Sequence, residues 1–230
     1  LTADVAHELR TPLQIIQGNL EGLVDGVYQP TPEHLEATLA ETKLLARLVE
    51  DLRVLSQAEA GQLPMQWEVI DVSELLNDVA TSFSGQAQAA EITLTVDAPG
   101  QVSALDTAAA PALRLRGDYG RLEQVLGNLL TNAIRHTPEG GTVTLQGGPG
   151  PQGVRLVVAD TGEGIAPEDV PYVFDRFWRA DRARTHGEGT GSGLGLAIAR
   201  QLIQAHGGVI AVQSTLGRGT AFTIDLPSAT

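Results

Sequence analysis

The chain has 230 residues, 42% of them hydrophobic, and a formal charge of -13 from 28 Asp and Glu against 15 Lys and Arg. That length folds as one or two domains, and that charge would repel a phosphate backbone, which excludes nucleic acid as the main partner. The absence of cysteine removes disulfides, thiolate zinc sites and cysteine nucleophiles, and no uncharged apolar run approaches the roughly 20 residues of a membrane span.

A helical pattern is already running at Leu1 with no cap before it, which predicts that these residues belong to a longer chain; no basic-then-apolar leader opens them. Leu9, Leu13, Ile16, Leu20, Leu23 and Val27 recur at intervals of four and three, the rhythm of a bundle helix. Tyr28-Gln29-Pro30 breaks that helix. Thr31-Pro32-Glu33 then supplies an N-cap, a proline at the first helical position and an acid in the first turn. Leu45, Leu48, Leu52 and Leu55 form the seam of a second helix ending near Ala60-Gly61. Residues 1–60 therefore read as a helical hairpin with an open apolar stripe, and a homodimeric four-helix bundle is the natural way to cover it.

After Gly61 the pattern changes to short strands, helices and glycine turns. Strands are expected at Gln66–Ile70, Ile92–Val96, Leu113–Arg116, Thr142–Gln146, Val154–Ala159, Val209–Gln213 and Ala221–Leu226, with helices near 71–84, 118–136 and 193–206. The expected architecture is α+β, with helices on one face of a mixed sheet. Residues 97–112 read as a loop of small residues. Residues 179–191 lack apolar periodicity and read as a mobile loop.

Five groups of residues stand out. His7 stands two residues before seam residue Leu9, about 200° away around the helix, so it faces solvent. Thr11 shares its face, Glu8 adjoins it, and Pro12 should bend the helix there. An acid beside a histidine fixes the tautomer and leaves the other nitrogen free to attack an electrophile. On the helix from Asp118, Asn128 and Asn132 share a face, with Arg135 and His136 a turn later; Asn oxygens suit Mg²⁺, and Arg135 suits phosphate. Asp160-Thr161-Gly162-Glu163-Gly164-Ile165 follows an apolar strand and joins a carboxylate acceptor to glycines that admit a planar ring. Gly189 to Leu196 opens a helix whose free N–H groups and positive end suit phosphates. Gly217-Arg218-Gly219-Thr220 reads as a hairpin turn with one hydroxyl aimed inward.

Taken singly, each group has an ordinary structural reading: an exposed histidine, a capping Asn pair, a glycine turn. Neither glycine run is a dinucleotide fingerprint, because Pro167 stands where a third glycine is needed. A Walker sequence is excluded too, since the lone lysine, Lys43, lies far from any glycine loop.

In combination the groups are specific. The order His7-Glu8-Leu9-Arg10-Thr11-Pro12, Asn128-Leu129-Leu130-Thr131-Asn132-Ala133, Asp160-Thr161-Gly162-Glu163-Gly164, Phe174-Asp175-Arg176-Phe177, Gly191-Ser192-Gly193-Leu194-Gly195-Leu196 closely resembles the catalytic core of bacterial two-component sensor histidine kinases. The likeness spans nearly the whole chain. It implies a dimerisation and phosphotransfer hairpin (1–61) forming a four-helix bundle, a linker (62–67), and a catalytic α/β sandwich of the Bergerat ATP-binding type (68–230), as in gyrase and heat-shock chaperones.

By that likeness His7 is the phosphoacceptor, Glu8 its base, and Thr11 helps position water when a phosphorylated regulator is dephosphorylated. Asn132 is the Mg²⁺ ligand, with Asn128 the second candidate, standing where related ATPases carry a water-activating glutamate. Asp160 accepts from the adenine amino group. Gly162, Gly164, Ile165, Gly191, Ser192, Gly193, Leu194, Gly195, Leu196 and Thr220 line the ATP pocket and its lid, and Arg135 and Arg179 touch the phosphates. His136 stands at a nucleotide-binding position that is often tyrosine in the family, which makes it the candidate to stack at the nucleotide. The implied activity is ATP-dependent autophosphorylation on histidine and transfer to an aspartate of a response-regulator receiver domain, with phosphatase activity toward that regulator. The implied setting is the cytoplasm, as the cytoplasmic portion of a sensor anchored in a membrane by upstream segments. A plain ATPase would want an acid at 128, and a non-catalytic scaffold would be expected to show damaged motifs; none is damaged.

Overall fold

The computed structural model describes residues 2–98, 113–179 and 192–229, with side chains from Val5 onward. Two long helices come first: α1 (Thr2–Val24) and α2 (Pro32–Glu59). Helix α1 ends earlier than the apolar spacing suggests. The amides of Val27 and Tyr28 both fold back to the Gly22 carbonyl (2.9 Å each) and Gly26 takes φ +70°, so Val27 falls outside the helix and is 72% exposed. The Tyr28 ring lies where a Cβ on residue 22 would be. Pro12 sits inside α1, which runs through it as one helix. Thr31 caps α2 through the amide of His34, and Pro32 occupies the first turn, where a missing N–H costs nothing.

The second part contains β1 (Glu68–Asp71), α3 (Val72–Ala89), β2 (Thr93–Asp97), β3 (Arg114–Gly117), α4 (Tyr119–His136), β4 (Thr142–Gly150), β5 (Gly153–Asp160), α5 (Gly195–Ala205), β6 (Val209–Thr215) and β7 (Gly219–Pro227). All seven expected strands form, with ends shifted by a few residues. They make two sheets rather than one: β1 and β3 pair as a separate antiparallel ribbon, while β2-β4-β5-β7-β6 form the five-stranded main sheet. The main sheet is mixed, because β2 and β4 run parallel and its other neighbours antiparallel. The small loop expected at 97–112 lies outside the described residues beyond Ala98.

Helices α3, α4 and α5 cover the sheet. On α4 the residues Leu122, Val125, Leu126, Leu129, Leu130 and Ala133 are buried, a stripe at helical spacing that leaves Asn128 and Asn132 at its edge. Leu156 and Ile224 are fully enclosed between β5, β7 and the helices, and each such side chain contributes roughly 1.5–3 kcal/mol by leaving water. Side-chain acceptors open the helices: Asp71 for α3 and Asp118 for α4. Leu48, Val54 and Leu55 of α2 belong to the same buried cluster as Leu202 and Ile203 of α5. Arg176 pairs with Glu59 beside this contact.

Candidate nucleotide and phosphotransfer site

Helix α4 brings one polar edge to the end of β5. Asn128 Nδ2 donates to the Gly195 carbonyl at 3.0 Å, tying α4 to the first turn of α5. Asn132, one turn on, is half-buried, and its side chain makes no hydrogen bond to the described residues. Arg135 stands a further turn along; partial desolvation pulls its guanidinium below the usual range, and the positive charge of Arg179 pulls it in the same direction. Two cations held near one another suit a polyanion.

Asp160 closes β5 and is half-buried. The amides of Gly162 (2.8 Å) and Thr220 (3.1 Å) both donate to its Oδ1, which leaves Oδ2 without a partner among the described residues. Burial raises the carboxyl above its ordinary range, while the two amides and His136 oppose that rise. An anchored, desolvated carboxylate with one free oxygen is an acceptor for an amino group.

The glycines are needed for closeness. A Cβ on Gly162 would lie 2.2 Å from the His136 carbonyl, and one on Gly164 (φ +70°) 2.2 Å from the Thr215 carbonyl. At Gly193 (φ +68°) a Cβ would meet Phe177 Cα at 2.7 Å, and Phe177 N donates back to the Gly193 carbonyl. Ser192 Oγ accepts from Leu194 N at 3.3 Å. Leu194 is fully buried and Leu196 packs against the core. Helix α5 begins at Gly195, two residues later than expected. Residues 180–191 lie outside the described residues, and with them all of the expected mobile loop but Arg179.

Thr220 is 7% exposed, with its hydroxyl 2.9 Å from Ser214 Oγ, and the β6–β7 turn does aim one hydroxyl inward. Ser214 was not singled out by sequence, yet it also accepts from Ile165 N (2.8 Å) and donates to the Gly219 carbonyl. Glu163 is a second omission. Its carboxylate lies 2.7 Å from His136 Nδ1, clipping the glycine loop to the end of α4. Asp160, Ser214, Arg218 and Thr220 border a hollow of about 270 Å³.

His7 is exposed and Glu8 half-buried on α1, and Thr11 Oγ1 donates weakly to the His7 carbonyl at 3.4 Å. Asn19 Nδ2 donates to Thr38 Oγ1 at 3.2 Å. Counting twelve residues from this contact along the antiparallel pair matches His7 with Glu50 of α2, and α2 packs in turn on α5. A larger hollow, about 420 Å³, lies far from the glycines along Leu13, Ile16, Leu20 and Val24 on α1. Among the described residues no helix is long and apolar enough to cross a membrane.

A hairpin with an exposed imidazole, docked to a lobe with an Asn-bearing helix and glycine-walled carboxylate, defines a histidine kinase core, and the chain belongs to the two-component sensor histidine kinases. Residues 1–61 match the His Kinase A (phospho-acceptor) domain, and residues 117–230 match the histidine kinase-, DNA gyrase B-, and HSP90-like ATPase family. The signal transduction histidine-protein kinase BaeS of Escherichia coli is 36% identical over 98% of this chain and 46% of its own length. The Acinetobacter baumannii histidine kinase AdeS is 31% identical, with a TM-score of 0.78 over 97% of this chain and 98% of that one. Histidine kinase ThkA, solved in complex with response regulator protein TrrA, is 25% identical with a TM-score of 0.74, over 99% of this chain and 61% of that one. The chain spans less than half the length of the curated relatives it matches.

Proposed function

We propose that the chain autophosphorylates His7 from ATP and passes the phosphoryl group to an aspartate of a response-regulator receiver domain. The observation that supports this reading is the docking of the carboxylate-and-glycine lobe, through α5, on α2, the helix packed against the one that carries the exposed imidazole. In this reading residues 1–61 are the dimerising phosphotransfer unit, 62–67 the linker and 68–230 the ATP-binding unit.

Asp160 Oδ2 accepts from the adenine amino group while Gly162 and Gly164 let the ring approach the backbone. Gly191, Ser192, Gly193 and the start of α5 enclose the phosphates, which Arg135 and Arg179 neutralise. Asn132, whose amide is unengaged, fits a hard-cation ligand, and Mg²⁺ bound there would neutralise phosphate charge. Asn128 donates through Nδ2 to the Gly195 carbonyl, which fixes its side chain and leaves Oδ1 as the second candidate ligand. The free nitrogen of His7 attacks the γ-phosphorus in line, and the bond to the bridging β–γ oxygen breaks with its electron pair leaving on ADP. Glu8 takes the proton of the other ring nitrogen. Thr11 positions water in the reverse duty, hydrolysis of the phosphorylated regulator.

The solution state that fits is a homodimer through the apolar stripe of α1, where Leu13, Leu20 and Val24 are exposed in the single chain. A regulator partner is supported by the ThkA–TrrA complex. A cytoplasmic setting, below a membrane-anchored sensor region, fits the same reading. Incubation with γ-labelled ATP and Mg²⁺ tests it. Acid-labile, base-stable label should appear in the wild-type chain and be absent from His7→Gln and Asn132→Ala; label persisting in His7→Gln moves the acceptor elsewhere.

A further inference from the structure

The segment joining hairpin to lobe is pinned by a buried cluster that the phosphotransfer chemistry does not use. Asp118 is 8% exposed and divides its two oxygens. Oδ1 accepts from Arg121 N at 3.0 Å and caps α4; Oδ2 accepts from the backbone amide of Gln66, in the linker, at 2.7 Å. Its own amide donates to His206 Nε2 at 3.0 Å, and His206 Nδ1 lies 2.7 Å from the Leu202 carbonyl at the end of α5. A carbonyl only accepts, so Nδ1 carries the proton and Nε2 a lone pair, which makes His206 neutral. Its burial, 3% exposed, pushes its pKa down and agrees with that state. Trp67 stands edge-on to this ring at 5.5 Å, and Arg116 lies over Trp67 at 5.8 Å.

The cluster grips the two helices that bear the site at the ends away from it. Asn128, Asn132 and Arg135 lie further along α4, and the glycines open α5. With α2 ending at Glu59 and Gln66 pinned, residues 60–65 join the hairpin to the lobe, and of these Leu63 packs on the core. Breaking the pin frees residues 66 and 67 as well, lengthening a short tether and widening the arc over which the lobe presents its nucleotide to His7.

Resting on the autophosphorylation reading above, we propose that Asp118 is a positioning residue for phosphoryl transfer, its Oδ2 locking the linker to the lobe so that bound nucleotide meets His7 in a narrow set of orientations. The carboxylate is the element that matters, because Asn and Ser both preserve the cap and neither offers the second acceptor.

The test uses the 230-residue chain and the variants Asp118→Asn, Asp118→Ser, Gln66→Pro and Asp118→Asn/Gln66→Pro. The proline removes the donor and leaves Asp118 intact. Two quantities are read: the rate of His7 labelling at saturating ATP, and the affinity for a non-hydrolysable ATP analogue. Loss of orientation should slow labelling about fivefold to tenfold in every single variant, with affinity within about twofold of wild type. The double variant should be no slower than its slower parent, since both changes cut one bond. Trp67 emission, read in a Trp178→Phe background, should change in all of them. Should Asp118→Asn fail to fold, Gln66→Pro carries the test. Wild-type rates in the variants, affinity falling in step with rate, or additive slowing in the double variant overturn the joint alone. A wild-type chain that takes no label on His7 overturns the proposed activity, and the joint with it.

Discussion

The most discriminating perturbation of the nucleotide site is Asp160→Asn. Both backbone amides that anchor Asp160 donate to Oδ1, so an asparagine can keep its oxygen there and the loop should hold. The change falls on the other atom: Oδ2, free to accept, becomes an NH₂ that only donates. In the proposed binding mode that NH₂ faces the adenine amino group, and two donors then meet. The loss is one charge-assisted hydrogen bond, about 1.5–3 kcal/mol, or roughly 10-fold to 150-fold in affinity for ATP. Titration calorimetry with ATP and with purine riboside triphosphate, which lacks the amino group, separates this effect from general damage. Wild type should favour ATP, Asp160→Asn should lose that preference, and the amino-less analogue should bind both proteins within about threefold. Equal weakening toward both ligands would refute the assignment. Stability supplies a second check. Burial raises the carboxyl above its ordinary range, so the ionised form is the disfavoured one. Its contribution is fully present below the ordinary carboxylate range and lost as pH rises through the raised value. At pH 7.5 the nucleotide-free Asn variant should therefore melt no lower than wild type.

Three further outcomes are expected. Leu20→Asp places a charge in the exposed apolar stripe of α1, where Leu20 is 48% exposed in one chain; light scattering should report a monomer, and an intact dimer would put the interface elsewhere. Desolvation, reinforced by Glu50 and opposed by Arg47, lifts the Asp51 carboxyl to about 6. The wild-type melting temperature should thus fall as pH rises from 5 to 7, and Asp51→Asn should flatten that slope; parallel slopes would show that Asp51 is not the group responsible. Gly193→Ala must fit a Cβ 2.7 Å from Phe177 Cα at φ +68°. At about 1–2 kcal/mol for the backbone alone plus the clash, it should lower the melting temperature by several degrees and weaken nucleotide binding, and a silent substitution would mean the two segments are not interlocked.

The parts of the fold that were legible in the sequence are those fixed by local chemistry. Thr31-Pro32, Asp71 and Asp118 announce helix starts because a side-chain oxygen before an apolar stripe satisfies the first free amides, and the short apolar run Val154–Ala159, bounded by glycine turns, announces a strand. The end of α1 shows two local signals in conflict: the apolar spacing carries the helix to Val27, but Gly26 and the Tyr28 ring folding over Gly22 turn the chain first. The division into two sheets was hidden altogether. Nothing local to Glu68–Asp71 says that it pairs with Arg114–Gly117 and not with the main sheet.

The same distinction runs through the site. Asp160, the Asn pair and the glycines stand out as candidates in the sequence because each proposed role needs a particular residue type at a particular spacing. Ser214 and Glu163 were not, because a serine on a strand and an acid in a turn become informative only when β6 and α4 bring them to Ile165 and His136. Asp118 shows how far this goes. Its role as a cap is written in the three residues that follow it, whereas its grip on Gln66 spans 52 positions and exists only once α4 stands beside the linker. One carboxylate thus answers a local demand with one oxygen and a tertiary demand with the other, and a cap-preserving substitution can separate the two.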